Sequence, residues 1–463
     1  MCRVFAIPGI CALIVFILAR PQEFLPELQR VPFLHIFTLL AVFGWVIDIR
    51  LRRLQPIAAP SLPWVIGLFG WAVIGTAIVV PEKLIERVIE LAILFALYGT
   101  LAHGVQRFRT FQIVAGTLVA TCLWITVVCF QQGFAAKQCI AGVEGTDGVI
   151  GGTPDGRSCE RAEECMGGDA EPGKEYRCEH VGVVGTYSIE GRVRYRGELH
   201  DPNEVALTIS AGALSLLIGF ALRRRSPLGV FVCVLGGMLV VATVLLTRSR
   251  GGLVAVMLVP GVYLIRRYGL LALAPTGALG LLVVVLGSRG GQKASLSTEL
   301  RYEAWATGLE MFKRSPVFGV GARQFGEHHF LTAHNSYVLA LAELGFVGLV
   351  LFVAVLYVSV KTLVVGLREL AHTSGAAAVQ VWGMALMASL CGILFQINTL
   401  SFAYHSVLWI FLGLVGAWAS AIRTHLPTFH VRLGGLDLAA IVTGCLMFTF
   451  VVLPMFLRWK GMY

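Results

Sequence analysis

Apolar residues come in long blocks along this chain, separated by short polar or charged stretches. The blocks fall near residues 4–19, 33–49, 62–80, 84–102, 111–130, 204–222, 228–247, 251–265, 269–287, 335–360, 377–399, 405–422 and 437–457. Most approach the roughly 20 residues that a helix needs to cross a bilayer. The short alternating segments of a transmembrane barrel do not occur. The pattern predicts an all-α polytopic membrane protein, a bundle of about 12–13 transmembrane helices. Two long polar segments interrupt it. The chain divides into N-terminal helices (1–130), a cysteine-containing loop (131–203), central helices (204–287), a second loop (288–334) and C-terminal helices (335–463). The first block reads as a retained span, since no small-x-small cleavage site precedes Arg20-Pro21.

Composition agrees with the pattern. Mean hydropathy is +0.78 and 14% of residues are charged, against about 25% in a soluble domain. The formal charge of +10 does not point to nucleic acid, because basic residues in a membrane protein mostly mark cytoplasmic loops. Here they set the orientation. Arg50, Arg52 and Arg53 follow the second block, Arg107 and Arg109 the fourth, and Arg223 to Arg225 the sixth. Arg266 and Arg267 follow the eighth, Lys361 and Arg368 the tenth. Every cluster follows an even-numbered block, so all can be cytoplasmic together. The amino terminus is then inside and both long polar segments are outside. Only the last block breaks the rule, leaving Arg458 and Lys460 outside.

Seven of the eleven cysteines lie in or beside apolar blocks and read as small core residues. The other four, Cys139, Cys159, Cys165 and Cys178, share the first polar segment. An even number in one loop predicts two disulfides in an oxidising space, with three connectivities open. Zinc is the alternative, although no C-x-x-C pair is present. The glycine-rich sequence around these cysteines predicts an irregular loop. Asp201-Pro202 looks like a helix start, with Asp201 as cap and proline in the first turn.

The outer face is rich in cations that orientation does not explain. Arg192, Arg194 and Arg196 lead into one span, Arg248 and Arg250 sit in a tight turn, and Arg301 and Arg323 lie in the second loop. Guanidinium forks bind phosphate oxygens in pairs, and a membrane-edge setting strengthens the contact. A pyrophosphate would be suited by Arg248 or Arg250 with Arg301. His334 stands where the second loop re-enters an apolar block, and an imidazole with a pKa of about 6.5 can accept a proton at neutral pH. Helical spacing places His334, Val338, Leu341, Gly345 and Gly348 on one stripe, the glycines admitting another helix beneath the ring. Asn335 is a candidate to orient the ring or contact sugar hydroxyls. Glu343 reads as a structural partner for another helix. His328 and His329 lack a nearby carboxylate cluster, so no metal and no cofactor are expected.

Several short motifs occur in order over residues 190–360. They are Asp201-Pro-Asn203, Ser249-Arg-Gly-Gly252, Arg301-Tyr-Glu-Ala-Trp305, Ser315-Pro-Val-Phe-Gly-Val-Gly321, and His334-Asn335 followed by Gly345 and Gly348. In this the chain resembles the O-antigen ligase and polymerase superfamily. The resemblance implies an inverting, metal-independent membrane glycosyltransferase with a GT-C-like bundle. It would lie in the bacterial inner membrane with its active site facing the periplasm. The implied donor is an undecaprenyl-pyrophosphate-linked glycan, and the acceptor is lipid A–core or a second lipid-linked glycan. Membrane lipids would be its surroundings. By carry-over, Arg250 and Arg301 hold pyrophosphate and His334 activates the acceptor hydroxyl. Arg248, Asn335, Asn203, Arg196 and Arg323 are candidate substrate contacts. The cysteine-bearing insertion at 131–190 departs from the family pattern. Two other classes compete. A transporter or flippase of lipid-linked oligosaccharides would also need many spans and a basic cavity, but should carry charges deep in the bilayer. A receptor-like scaffold would use the disulfide loop and leave the 301–348 motifs idle.

Overall fold

A computed structural model describes residues 4–143, 151–167, 170, 174–223, 226–272, 277–278 and 292–462. Helices occupy twelve of the thirteen apolar blocks. They are α1 (Ala6–Leu18), α2 (Phe33–Arg50), α3 (Leu62–Val79), α4 (Leu84–Gly104) and α5 (Phe108–Gln132). After the first polar segment come α6 (Pro202–Arg223), α7 (Pro227–Thr247) and α8 (Arg250–Tyr268). A helix in the second polar segment, α9 (Gln292–Arg314), precedes α10 (Ser336–Leu370), α11 (Ala377–Gln396), α12 (Ser406–Ile422) and α13 (Gly435–Trp459). Nine of these are long and apolar enough to cross a membrane among the described residues. The block at 269–287 lies largely outside the described residues.

Contacts divide the chain into two units. Unit 1 is Met1–Val15, Pro32–Leu118 and Gly290–Tyr463; unit 2 is Phe16–Val31 and Val119–Arg289. Within unit 1, the Trp418 indole of α12 lies fully buried and donates to the Val379 carbonyl of α11 at 2.9 Å. Burying a tryptophan with its N–H satisfied fixes two helices together, since nothing in the interior need go without a partner.

Contacts inside unit 1 group its connecting segments at two ends. Lys83, between α3 and α4, pairs with Glu327 of the second polar segment at 2.6 Å. Ser401, between α11 and α12, accepts from the His334 backbone at 2.9 Å. At the opposite ends, Asp48 accepts from the Ala6 backbone at 3.0 Å and Lys361 pairs with Asp437 at 2.5 Å. The exceptional cation at the carboxyl end has a physical explanation. Lys460 lies over the Tyr302 ring of α9 at 5.4 Å and over Trp459 at 4.1 Å, so aromatic faces take its charge. The end of α13 therefore lies on the same side as the second polar segment.

Unit 2 corrects one expectation. The cysteine segment is a three-stranded antiparallel sheet of order β2-β1-β3, with β1 Lys137–Val143, β2 Gly151–Ser158 and β3 Tyr176–His180. Disulfides join Cys139 to Cys165 and Cys159 to Cys178. The four half-cystines and Tyr176 form its small core. So few apolar residues cannot hold a sheet alone, and cross-links replace the missing core. With sequence separations of 26 and 19, each bridge should contribute about 3 kcal/mol. Replacing both pairs by serine should unfold the sheet while leaving the helices, read as new protease cleavage within 137–180. Peptide mapping without reduction should recover the two stated pairs; any other pairing contradicts this arrangement.

Candidate functional site

His334 does not lie on the helix. It precedes α10 with φ of 46°, a left-handed conformation that costs a non-glycine residue about 1–2 kcal/mol. Its neighbours hold it there. The Asn335 side chain caps α10, accepting from Tyr337 and Val338 backbone N–H groups at 3.0 and 3.1 Å. The Ser336 hydroxyl donates to the Leu400 carbonyl at 2.7 Å, and its N–H to Ile397 at 2.8 Å. The imidazole is thus carried by a backbone pinned on both sides. Asn335, proposed from sequence as a substrate contact, is buried and spends its carbonyl oxygen on this cap.

The same point is tied to α9. The Trp305 indole donates to the carbonyl of Ala333 at 2.7 Å. Arg301 stands one helical turn before Trp305 on the same face. Ala304, Gly308, Leu309, Met311 and Phe312 form the buried stripe of α9. Arg301 and His334 therefore lie on neighbouring segments of unit 1, linked by a hydrogen bond that sequence reading did not assign. The signal was present, because Trp305 follows Arg301 by four residues.

Glu343 has a different role from the one its spacing suggested. The carboxylate is 1% exposed and accepts from the backbone N–H groups of Arg323 and Phe325, both at 2.8 Å. It anchors a loop, not a helix. The α10 helix breaks two residues later at Gly345, with φ of 67° and ψ of −169°. The freed groups find loop partners: Val320 donates to Ala342, Gly321 to Glu343, and Phe346 to Pro316, while the Trp71 indole takes the Leu344 carbonyl at 2.9 Å. A Cβ at Gly345 would lie 2.3 Å from the Val317 oxygen. That glycine admits loop backbone, where the stripe argument expected a second helix.

Above this anchor sits a charged cluster. Arg323 has φ of 57°, and its Nε lies 3.5 Å from Glu90, which also binds Arg87 at 2.8 Å. The guanidinium lies 5.7 Å over the Tyr404 ring. Burial, then the facing Glu343 carboxylate, pushes the Tyr404 phenol well above its ordinary range. Lys83 holds the Glu327 carboxyl below the usual carboxylate range. The charges at 86, 87 and 90, breaking an apolar block in sequence, were the available sign of this cluster.

The remaining sequence candidates belong to unit 2. Arg192 donates to the Thr247 carbonyl at 2.9 Å and to Asn203 at 3.3 Å. Asn203 in turn donates to Asp201, the cap of α6, at 2.8 Å. Asp201 and Glu204 form a capping box, as the Asp-Pro sequence implied. Arg194 is buried against the Tyr187 ring at 4.4 Å and bracketed by Gln132; burial lowers its pKa. Arg196 is spent on main chain, donating to the carbonyls of Glu23 at 3.2 Å and of Val184. Arg248 ends α7 in a left-handed turn, Ser249 caps α8 by accepting from Gly252 at 3.0 Å, and Arg250 is its first residue. Arg248 and Arg250 are exposed. Two guanidinium groups at a helix N-terminus make a setting suited to an anion.

Residues 235–353 match the family model described as O-antigen ligase. The matched span includes Arg248, Arg250, Arg301, Arg323, His334 and Asn335, and ends before α11. No curated protein matches the chain.

Proposed function

We propose, from the match of residues 235–353 to the O-antigen ligase family model, that this chain is a membrane enzyme that transfers a glycan from undecaprenyl pyrophosphate to an acceptor hydroxyl in the periplasm. The supporting observation is the bond from Trp305 to Ala333, which joins the helix bearing Arg301 to the residue before His334. An imidazole on a pinned backbone and a guanidinium on the adjoining helix supply the two groups this reaction needs.

The chemistry balances without ATP. The acceptor oxygen attacks the anomeric carbon as its proton passes to the His334 imidazole. The bond from that carbon to the diphosphate oxygen breaks on the opposite face, so the configuration inverts. Undecaprenyl pyrophosphate leaves with its charge on the Arg301 guanidinium. That guanidinium charge does here what a divalent cation does in other diphosphate-releasing enzymes. The acceptor is either lipid A–core or a second lipid-linked glycan.

Incubation of purified protein with an undecaprenyl-pyrophosphate glycan tests the reading, with and without lipid A–core and with chelator. A ladder of longer glycans means polymerisation, and a shift of the core means ligation. Both should survive chelation. Passage of the donor across vesicles with no new glycosidic bond would replace this proposal with a transporter.

A further inference from the structure

The two disulfides of unit 2 are closer together than cross-linking requires. A bridge stabilises by closing its own loop, and two bridges need not touch. Here they share one core. The Sγ atoms of Cys139, Cys159 and Cys165 all lie within 4.8 Å of one another, although they belong to two different bridges. Cys178 is bonded to one of the three, Cys159, and stands directly opposite Cys139 in the register of β1 and β3. The sulfurs therefore converge from four places: β1, the residue after β2, the short turn Ala162–Met166, and β3.

Once reduced, this is the donor set of a structural zinc site, which takes four thiolates in a tetrahedron at about 2.3 Å. Sulfurs in such a site stand about 3.8 Å apart, against about 2 Å in a disulfide. Each bridged pair would part by about 2 Å, a movement within reach of side chains alone. The surroundings suit the net negative charge of a metal held by four thiolates. Arg157 donates to the Cys165 carbonyl at 3.2 Å, and Lys137 to the Glu160 carbonyl beside Cys159 at 3.4 Å. Arg157 also pairs with Asp155 at 2.6 Å, which keeps the guanidinium on this side of the sheet. Three of the cysteines are buried, while Cys178 is only partly buried and gives a metal its way in.

We infer that the reduced form of this sheet is a zinc site, with Cys139, Cys159, Cys165 and Cys178 as its ligands. Two molecules of a dithiol reductant open the two bridges, each giving up two electrons and two protons and closing to a disulfide of its own. The four thiols then release four protons as they bind one Zn²⁺. Soft thiolates select zinc over magnesium or calcium. A sheet too poor in apolar residues to stand without cross-links is then held by metal, and keeps its fold in both redox states. The inference stands apart from the function proposed above, since no step of the transfer uses these cysteines.

Full-length protein in detergent would be reduced with dithiothreitol, freed of it under nitrogen, and titrated with Co²⁺ and then Zn²⁺. One equivalent of Co²⁺ should produce the visible bands of tetrahedral thiolate coordination. One equivalent of Zn²⁺ should displace it, with a dissociation constant of about 10⁻⁷ M or tighter. The oxidised protein should bind neither ion at this strength. Nor should a variant with serine at 139, 159, 165 and 178, whose seven remaining cysteines report the background. A second measurement follows the fold. Zinc in excess should slow protease cleavage within 137–180 of the reduced wild type by about tenfold or more, and should leave cleavage of the serine variant unchanged. Reduced wild type without the tetrahedral thiolate spectrum, the same spectrum from the serine variant, or cleavage of the reduced sheet that zinc does not slow overturns the inference.

Discussion

Replacing His334 by alanine is expected to lower glycan transfer by about 10²–10⁴-fold, the usual contribution of a positioned general base. Stability should change little. The backbone N–H of His334 still reaches Ser401, and the Asn335 cap is untouched. Glycine at 334 would also remove the imidazole, yet it relieves the left-handed strain. Both variants should therefore be equally inactive, with glycine the more stable. The comparison needs turnover and thermal unfolding of each purified protein. Transfer by either variant at a wild-type rate would remove the imidazole from the mechanism.

The second large effect belongs to Glu343, which touches no substrate in this reading. Alanine there strips the acceptor from two backbone N–H groups, Arg323 and Phe325. Leaving two such donors without partners costs about 2–6 kcal/mol. The loop that carries Arg323 should detach from α10, and transfer should fall with it. Glutamine retains one carbonyl oxygen and should keep one of the two bonds, giving an intermediate loss. Protease sensitivity within 315–334, melting temperature and turnover should move together across Glu343, Gln and Ala. A Glu343→Ala protein as stable and active as wild type would show that the anchor is dispensable.

These expectations separate what a sequence can say from what it cannot. Apolar blocks place a helix at every described position because bilayer length and backbone satisfaction leave the chain no other choice. Asp201-Pro202 announces its helix for an equally local reason, since cap and proline act within four residues. The sheet at 137–180 is hidden because β2 is rich in glycine and carries a proline, and because its core is made largely of disulfides. The α9 helix is hidden because its buried stripe of Ala304, Gly308, Leu309, Met311 and Phe312 is interrupted by charges. Around His334, the residue types are legible while their assignments are not. Asn335 turns out to be a cap, Arg196 a binder of carbonyls, and Glu343 a receiver of loop amides. The last two roles depend on partners distant in sequence, on which the periodicity of one helix is silent, while the Asn335 cap is local.

That separation has a consequence for how the protein is made. Lys83 meets Glu327 across 244 residues, and Trp71 meets Leu344 across 273. At about 5–20 residues per second, a ribosome needs roughly 12–55 s to supply the later partner after the earlier one emerges. Throughout that interval Arg87 and Glu90 sit in a newly inserted apolar segment without the loop charge that later joins them. Their own i, i+3 pairing is then the main local means of sheltering those charges while the bundle is still unfinished.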